Sequence, residues 1–121
     1  MNEVDPLIRK FQKELSAGTV SFLLLAQLAK AGEPLYGYQI AKQLEQDGDG
    51  MLSCKQSALY PVLRNVDAAG LLQSEVEPSV AGPPRRYYRI TDFGREVFSA
   101  WRNTWQQTQT LVNTVLEGAP Q

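Results

Sequence analysis

The side chains with the most chemistry to offer fall in two short stretches. Residues 53–72 read as one amphipathic helix stopped by Gly70. At about 100° per residue, Leu59, Val62, Leu63 and Val66 share one face, while Ser57, Tyr60, Pro61, Arg64 and Ala68 share the other. With Lys55 and Gln56 near the helix start, the polar face offers an ammonium, an amide, a hydroxyl, a phenol and a guanidinium, and no acid near its beginning. These groups suit phosphate oxygens and base edges, and a helix N-terminus itself attracts phosphate. The second stretch is Arg85-Arg86 with Arg89, the densest positive charge in the chain. The chemistry expected is recognition of DNA.

Catalysis is not expected. Histidine is absent, which removes the commonest general base and metal ligand together. No set of nucleophile, base and orienting group stands out, and no cofactor is implied. Asp47-Gly48-Asp49-Gly50 has the form of the start of a calcium loop, but Met51, Leu52 and Cys54 occupy the region where later oxygen ligands belong. It reads as a solvated turn, and no metal site is expected. The single Cys54 excludes an internal disulfide framework and fits a reducing cytoplasm. Lysine beside it and a helix start nearby would favour a reactive thiol; filling an apolar position is the simpler role.

Length and charge set further bounds. A chain of 121 residues holds one core. A net charge of −1 and a pI near 5.4 do not suit a domain that grips nucleic acid by overall charge, so binding must rest on a local cluster. The most apolar run, residues 20–29, is interrupted by Ser21 and Gln27 and falls well short of the roughly 20 residues that span a bilayer. No secretory signal is expected ahead of it.

The remaining elements must hold the two stretches in place. Residues 1–15 predict a first helix, with Asp5 as N-cap, Pro6 in the first turn and Leu7, Ile8, Phe11 and Leu15 on one face. After Ala17-Gly18, residues 19–30 are apolar nearly all round and predict a buried central helix ended by Ala31-Gly32 and Pro34. Residues 39–46 predict a helix of two to three turns, with Ile40, Ala41 and Leu44 as its stripe, and residues 47–50 a tight turn into the amphipathic helix. Ser53 with Gln56 has the form of a capping box; Ser57 is the alternative cap, for a later start that brings Pro61 nearer the first turn. Residues 71–77 and 86–90 predict strands joined by the proline-rich loop 78–84, with Tyr88 and Ile90 facing one way and Tyr87 and Arg89 the other. Thr91-Asp92 caps a last helix running to about Leu116. Along it Gly94, Phe98, Trp101, Trp105, Thr108, Val112 and Val115 alternate four and three residues apart, the rhythm of a helix-pairing seam. Roughly 25 residues make about 37 Å of helix, more than a domain of this size covers, so its distal half needs a partner.

The fold expected is mainly α with a two-stranded β-hairpin, a winged helix-turn-helix with an N-terminal helix and a long C-terminal helix. Residues 1–92 would form the DNA-binding domain, 93–116 the dimerisation helix and 117–121 a disordered tail. The order of motifs also resembles a known family. Leu35-Tyr36-Gly37-Tyr38-Gln39-Ile40, Ala58-Leu59-Tyr60-Pro61-Val62-Leu63, Ala69-Gly70-Leu71-Leu72 and Arg85-Arg86-Tyr87-Tyr88-Arg89-Ile90-Thr91-Asp92-Phe93-Gly94 are similar to successive motifs of PadR-type transcriptional regulators, over about residues 15–95.

The resemblance implies a homodimeric repressor of stress, detoxification or efflux genes that binds inverted-repeat DNA and is released by a small molecule. It implies DNA contact by Tyr38, Lys55, Gln56, Ser57, Tyr60 and Arg64 and, in the wing, by Arg85 and Arg86. It also implies a dimer built by the terminal helices, through Leu7, Phe11, Phe98, Trp101, Trp105, Thr108, Val112 and Val115. Trp105 lies where the multidrug-binding member of the small subgroup stacks flat aromatic drugs, with Trp101 one turn earlier as an addition, so a planar aromatic effector is implied. The chain departs from the pattern in three places: Lys55 replaces a capping residue, Pro83-Pro84 replaces glycine and basic residues of the wing, and Gln109 replaces an acid. Aromatic residues at seam spacing also serve simply as packing. The alternative function, of another class, is a winged-helix interaction or adaptor module that touches no DNA.

Overall fold

The computed structural model describes residues 3–48, 56–79 and 81–121. The elements run α1 (Val4–Lys30), β1 (Leu35–Tyr36), α2 (Gly37–Gly48), α3 (Gln56–Ala68), β2 (Leu72–Glu77), β3 (Arg85–Ile90) and α4 (Asp92–Leu116). This is the expected mainly helical fold with a wing, and two elements differ from expectation.

The two helices predicted on either side of Ala17-Gly18 are one continuous helix of 27 residues. An interior glycine weakens a helix by only about 1 kcal/mol relative to alanine. Thr19 also stays helical, its hydroxyl donating to the Leu15 carbonyl at 2.8 Å. Asp5 lies inside the first turn, and Glu3 occupies the N-cap position without a side-chain cap bond. The second difference is β1. Leu35 and Tyr36 pair antiparallel with Tyr88 and Tyr87, so the predicted two-stranded hairpin is a three-stranded sheet of order β1-β3-β2.

The core is a single cluster. Leu24, Leu25 and Leu28 of α1 meet Ile40, Ala41 and Leu44 of α2 and Leu59, Leu63 and Val66 of α3, closed by Leu71, Leu72, Tyr88 and Ile90 of the wing. Leu59, Leu63 and Val66 of the α3 stripe are therefore buried and Val62 half-buried, while Tyr60, Pro61, Arg64 and Ala68 are exposed. Gln56 and Ser57 are already helical, so the helix does not begin after Ser57, and Pro61 lies inside it. Asp47 and Gly48, expected to open a tight turn, are instead the last residues of α2; residues 49–50, the cap candidate Ser53, and Cys54 lie outside the described residues.

Two junctions hold the wing to its neighbours. At the end of α3, Gly70 takes φ 82°. Its N–H donates to the Asp67 carbonyl at 3.0 Å, and that of Leu71 donates to the Val66 carbonyl at 3.1 Å. That pair of bonds is a Schellman cap, which needs the left-handed conformation glycine adopts most readily. At the start of α4, Thr91 is the N-cap, its hydroxyl accepting from the Gly94 N–H at 2.9 Å and donating to the Gly70 carbonyl at 2.8 Å. The Thr91 N–H donates to the Leu71 carbonyl at 3.0 Å, so α4 is bonded to the turn that follows α3.

The first turns of α4 pack on the domain: Val97, Phe98 and Trp101 lie against the core, and Phe98 meets Phe22 with ring centroids 5.6 Å apart. Beyond Trp101 every residue of α4 is exposed. Gly94, first in the predicted seam, is buried against Leu71 and Ile90 of its own protomer, with no room for a side chain.

Candidate nucleic-acid interface

The wing and the polar face of α3 enclose a recess of about 580 Å³. Tyr60 and Arg64 line it from α3, Gly37 and Tyr38 from the start of α2, Tyr36 from β1, and Arg85, Arg86 and Tyr88 from β3, with residues 79 and 81–84 at its lip. Of the eight side chains expected at DNA, the structure brings five to this one place: Tyr38, Tyr60, Arg64, Arg85 and Arg86. Lys55 lies outside the described residues, as do the side chains of Gln56 and Ser57. Gly37 lets α2 and α3 approach: a Cβ there would stand 2.7 Å from Cε1 of Tyr60.

Strand alternation distributes the arginines. Arg85, Tyr87 and Arg89 occupy one face of β3, while Arg86 shares the other with buried Tyr88 and Ile90. On the outer face, the Arg85 guanidinium lies 4.6 Å from the centroid of the Tyr36 ring. Tyr36 meets Tyr87 edge-on at 5.5 Å and stacks loosely on Tyr38 at 6.3 Å. Its N–H donates to the Gln39 side chain at 3.0 Å. Arg89 faces Glu75 at 3.5 Å, so its charge is offset within the wing. On the inner face, Arg86 donates to the Ser74 hydroxyl at 3.1 Å, and Ser74 donates to the Asp67 carboxylate at 3.1 Å.

Spacing placed the arginines in the wing but could not give them partners. Tyr36, Ser74, Asp67 and Tyr88 were missed as parts of the site. Tyr36 had a signal, since Leu35-Tyr36 directly precedes a helix start and is followed by a further aromatic; a two-residue strand is too short to show periodicity. Burial pushes the Tyr88 phenol above its ordinary value near 10, opposed by Arg86 and reinforced by Asp67. Tyr88 is therefore neutral at physiological pH, a phenol at the floor of a cationic recess.

A second concavity, of about 420 Å³, lies between α1 and α4. Phe22, Trp101, Thr104, Trp105 and Thr108 line it, and Glu14 is the one charged side chain in its lining among the described residues. Trp101 is half-buried against the core, whereas Trp105 is 43% exposed. The ends of the two long helices are apolar and uncovered: Leu7 and Phe11 near the start of α1, and Leu111, Val112, Val115 and Leu116 on α4. Among the described residues there is no group of three acids, cysteines or histidines to hold a metal. No helix there is long and apolar enough to cross a membrane.

Comparison with known proteins agrees with this geometry. Residues 24–100 match the model of the transcriptional regulator PadR-like family. The fold superposes on a PadR family transcriptional regulator from Eggerthella lenta with a TM-score of 0.82 and 34% identity, covering 95% of this chain and 96% of that one. A PadR-like transcriptional regulator from Bacillus cereus gives a TM-score of 0.72 at 28% identity, over 87% and 98% of the two chains. A transcriptional regulator from Clostridium thermocellum gives 0.75 at 25%, over 84% and 96%. The chain belongs to the PadR-like family and is a DNA-binding regulator of transcription, not an enzyme.

Proposed function

We propose that this protein is a homodimeric, cytoplasmic repressor that reads an inverted-repeat operator and is released by a planar aromatic effector seated beside Trp105. The observation that carries the reading is the convergence of Tyr38, Tyr60, Arg64, Arg85 and Arg86 on one recess between wing and helix. In a protein of net charge −1, a single such patch attracts DNA weakly. Two patches acting together bind far better, because the second engages at high effective concentration. The uncovered apolar ends of α1 and α4 support pairing of two copies there, with Leu7, Phe11, Thr108, Val112 and Val115 in the contact. Phe98 and Trp101 contribute from the flank that also faces their own core. Residues 1–92 then read DNA, α4 from residue 93 sets the spacing of the two heads, and 117–121 form a tail. Two α3 helices about 34 Å apart would meet successive major grooves.

The groove at Trp105 offers an aromatic wall with a carboxylate nearby. An effector there would act by favouring a subunit spacing that misfits the operator. Detoxification, efflux or stress genes are the regulated class this reading suggests.

The test is retardation of duplex DNA from upstream of the protein's own gene over a salt series, with the mass of the free protein from sedimentation. A dimer whose affinity falls steeply with salt is expected. A stable monomer, or a dimer that retards no such duplex, refutes the reading. Tryptophan emission titrated with ethidium and with 1-anilinonaphthalene-8-sulfonate tests the effector site. Quenching that disappears in Trp105→Phe supports it, and unchanged emission with both probes removes it.

A further inference from the structure

We propose that the adjacent arginines of the wing divide the work of DNA binding. Arg86 is an internal strut that sets the position of the wing relative to α3, acting through Ser74 and Asp67. Arg85 is the wing residue that meets the DNA backbone. The proposal rests on the DNA-reading role of the recess described above.

The strut is visible as a chain of bonds across three elements. Arg86 on β3 donates to Ser74 on β2 at 3.1 Å, and Ser74 donates to Asp67 in the last turn of α3 at 3.1 Å. The serine hydroxyl accepts from a cation and donates to an anion, and bonds to charged groups at both ends polarise it and strengthen the chain. Asp67 and Ser74 are half-buried, which reduces competition from water at their bond, while Arg86 reaches it from the exposed side. The carboxylate also offsets the Arg86 charge, so this arginine adds little to long-range attraction of phosphate.

Arg85 is held differently. Its guanidinium lies over the Tyr36 ring at 4.6 Å, a contact that fixes the plane of the group without using an N–H. Among the described residues it has no hydrogen-bond or ion-pair partner, so the guanidinium fork is open to a phosphate. Arg89, on the same face, is offset by Glu75. The three arginines of the wing thus amount to one available cation, one strut and one surface pair. The strut matters because phosphate contacts set the register of a reading helix: a wing free to pivot about α3 would lose contact even with Arg85 intact. Asp67 and Ser74 are positioning residues for that contact.

The experiment compares Arg85→Ala, Arg86→Ala, Ser74→Ala and the Ser74→Ala/Arg86→Ala double variant of the full chain. Each is assayed for binding to the upstream duplex over a salt series and for urea unfolding without DNA. Arg85→Ala is expected to lower affinity about tenfold and to reduce the salt slope by about 0.9, the share of one phosphate contact. Ser74→Ala and Arg86→Ala are expected to lower affinity several-fold with the slope unchanged. The double variant should be no weaker than Ser74→Ala alone, because that change already breaks both bonds of the strut and removing Arg86 then breaks no further one. Equal loss of slope in the two arginine variants overturns the division of labour. Additive effects of Ser74→Ala and Arg86→Ala on the urea midpoint overturn the strut, and this arm reads out even if the parent protein binds no duplex.

Discussion

Replacing Gly94 by alanine is expected to cost this protein a large part of its stability, although alanine is the better helix former. A Cβ at Gly94 would stand 2.1 Å from the Leu71 carbonyl oxygen, 2.8 Å from Cγ1 of Ile90 and 3.0 Å from the Leu71 carbonyl carbon. Ordinary contact begins near 3.4 Å, so α4 and the turn after α3 must separate by more than about an ångström. Neither yields easily: the Leu71 carbonyl accepts from the Thr91 N–H at 3.0 Å, and the Thr91 hydroxyl donates to the Gly70 carbonyl at 2.8 Å. Overpacking costs roughly 1–3 kcal/mol, and losing a buried backbone bond roughly 1–3 kcal/mol. Against these stands a gain of about 1 kcal/mol in helix propensity. The net is a loss of about 1–5 kcal/mol, or a fall in Tm on the order of 10 °C for a chain of this length. Urea unfolding followed by circular dichroism, at one fixed protein concentration so that association does not shift the midpoint, measures it. An alanine variant as stable as the parent refutes the close approach of α4 to the turn.

Gly37→Ala should behave differently, because its Cβ would meet the far end of the Tyr60 side chain at 2.7 Å and not backbone. The exposed ring can swing aside, so a stability change within about 1 kcal/mol together with a loss of DNA affinity is expected; unchanged affinity would remove Tyr60 from the reading surface. Tyr88 predicts a pH dependence. Because burial raises its folded-state pKa above 10, the folded protein holds the phenolic proton more tightly than the unfolded chain. Its contribution is therefore complete below pH 10 and is lost as pH rises beyond it. Urea midpoints taken up to strongly alkaline pH should fall less in Tyr88→Phe than in the parent, and parallel curves would contradict the burial of the hydroxyl.

Much of the fold was legible because local pattern and tertiary need coincide. The apolar stripe of α3 is read from a period of 3.6, and it is the face that Leu59, Leu63 and Val66 bury. The alternation of β3 separates Tyr88 and Ile90 from Tyr87 and Arg89, as the structure does. Thr91 before an acidic first turn announces the cap of α4. The break expected at Ala17-Gly18 failed for a related reason: local propensity costs about 1 kcal/mol there, and continuing the helix carries the α1 residues Leu24, Leu25 and Leu28 into the core. At the candidate site, residue types were legible and partners were not. Arginine has a long, flexible side chain, and whether it meets a ring, a hydroxyl or an acid depends on strands and helices far apart in the chain.

By itself, then, the amino-acid sequence determined the order and the faces of the elements, because hydrophobic periodicity, glycine stops and capping residues act within a few residues of chain. Only the tertiary structure decided that Gly94 seals α4 against the turn after α3, that β1 adds Tyr36 beneath Arg85, and that Arg86 is bonded through Ser74 to Asp67. Those are contacts between residues 7 to 49 positions apart in the chain. Spacing along one segment carries no information about them, because each is fixed by how separate elements dock around the shared core.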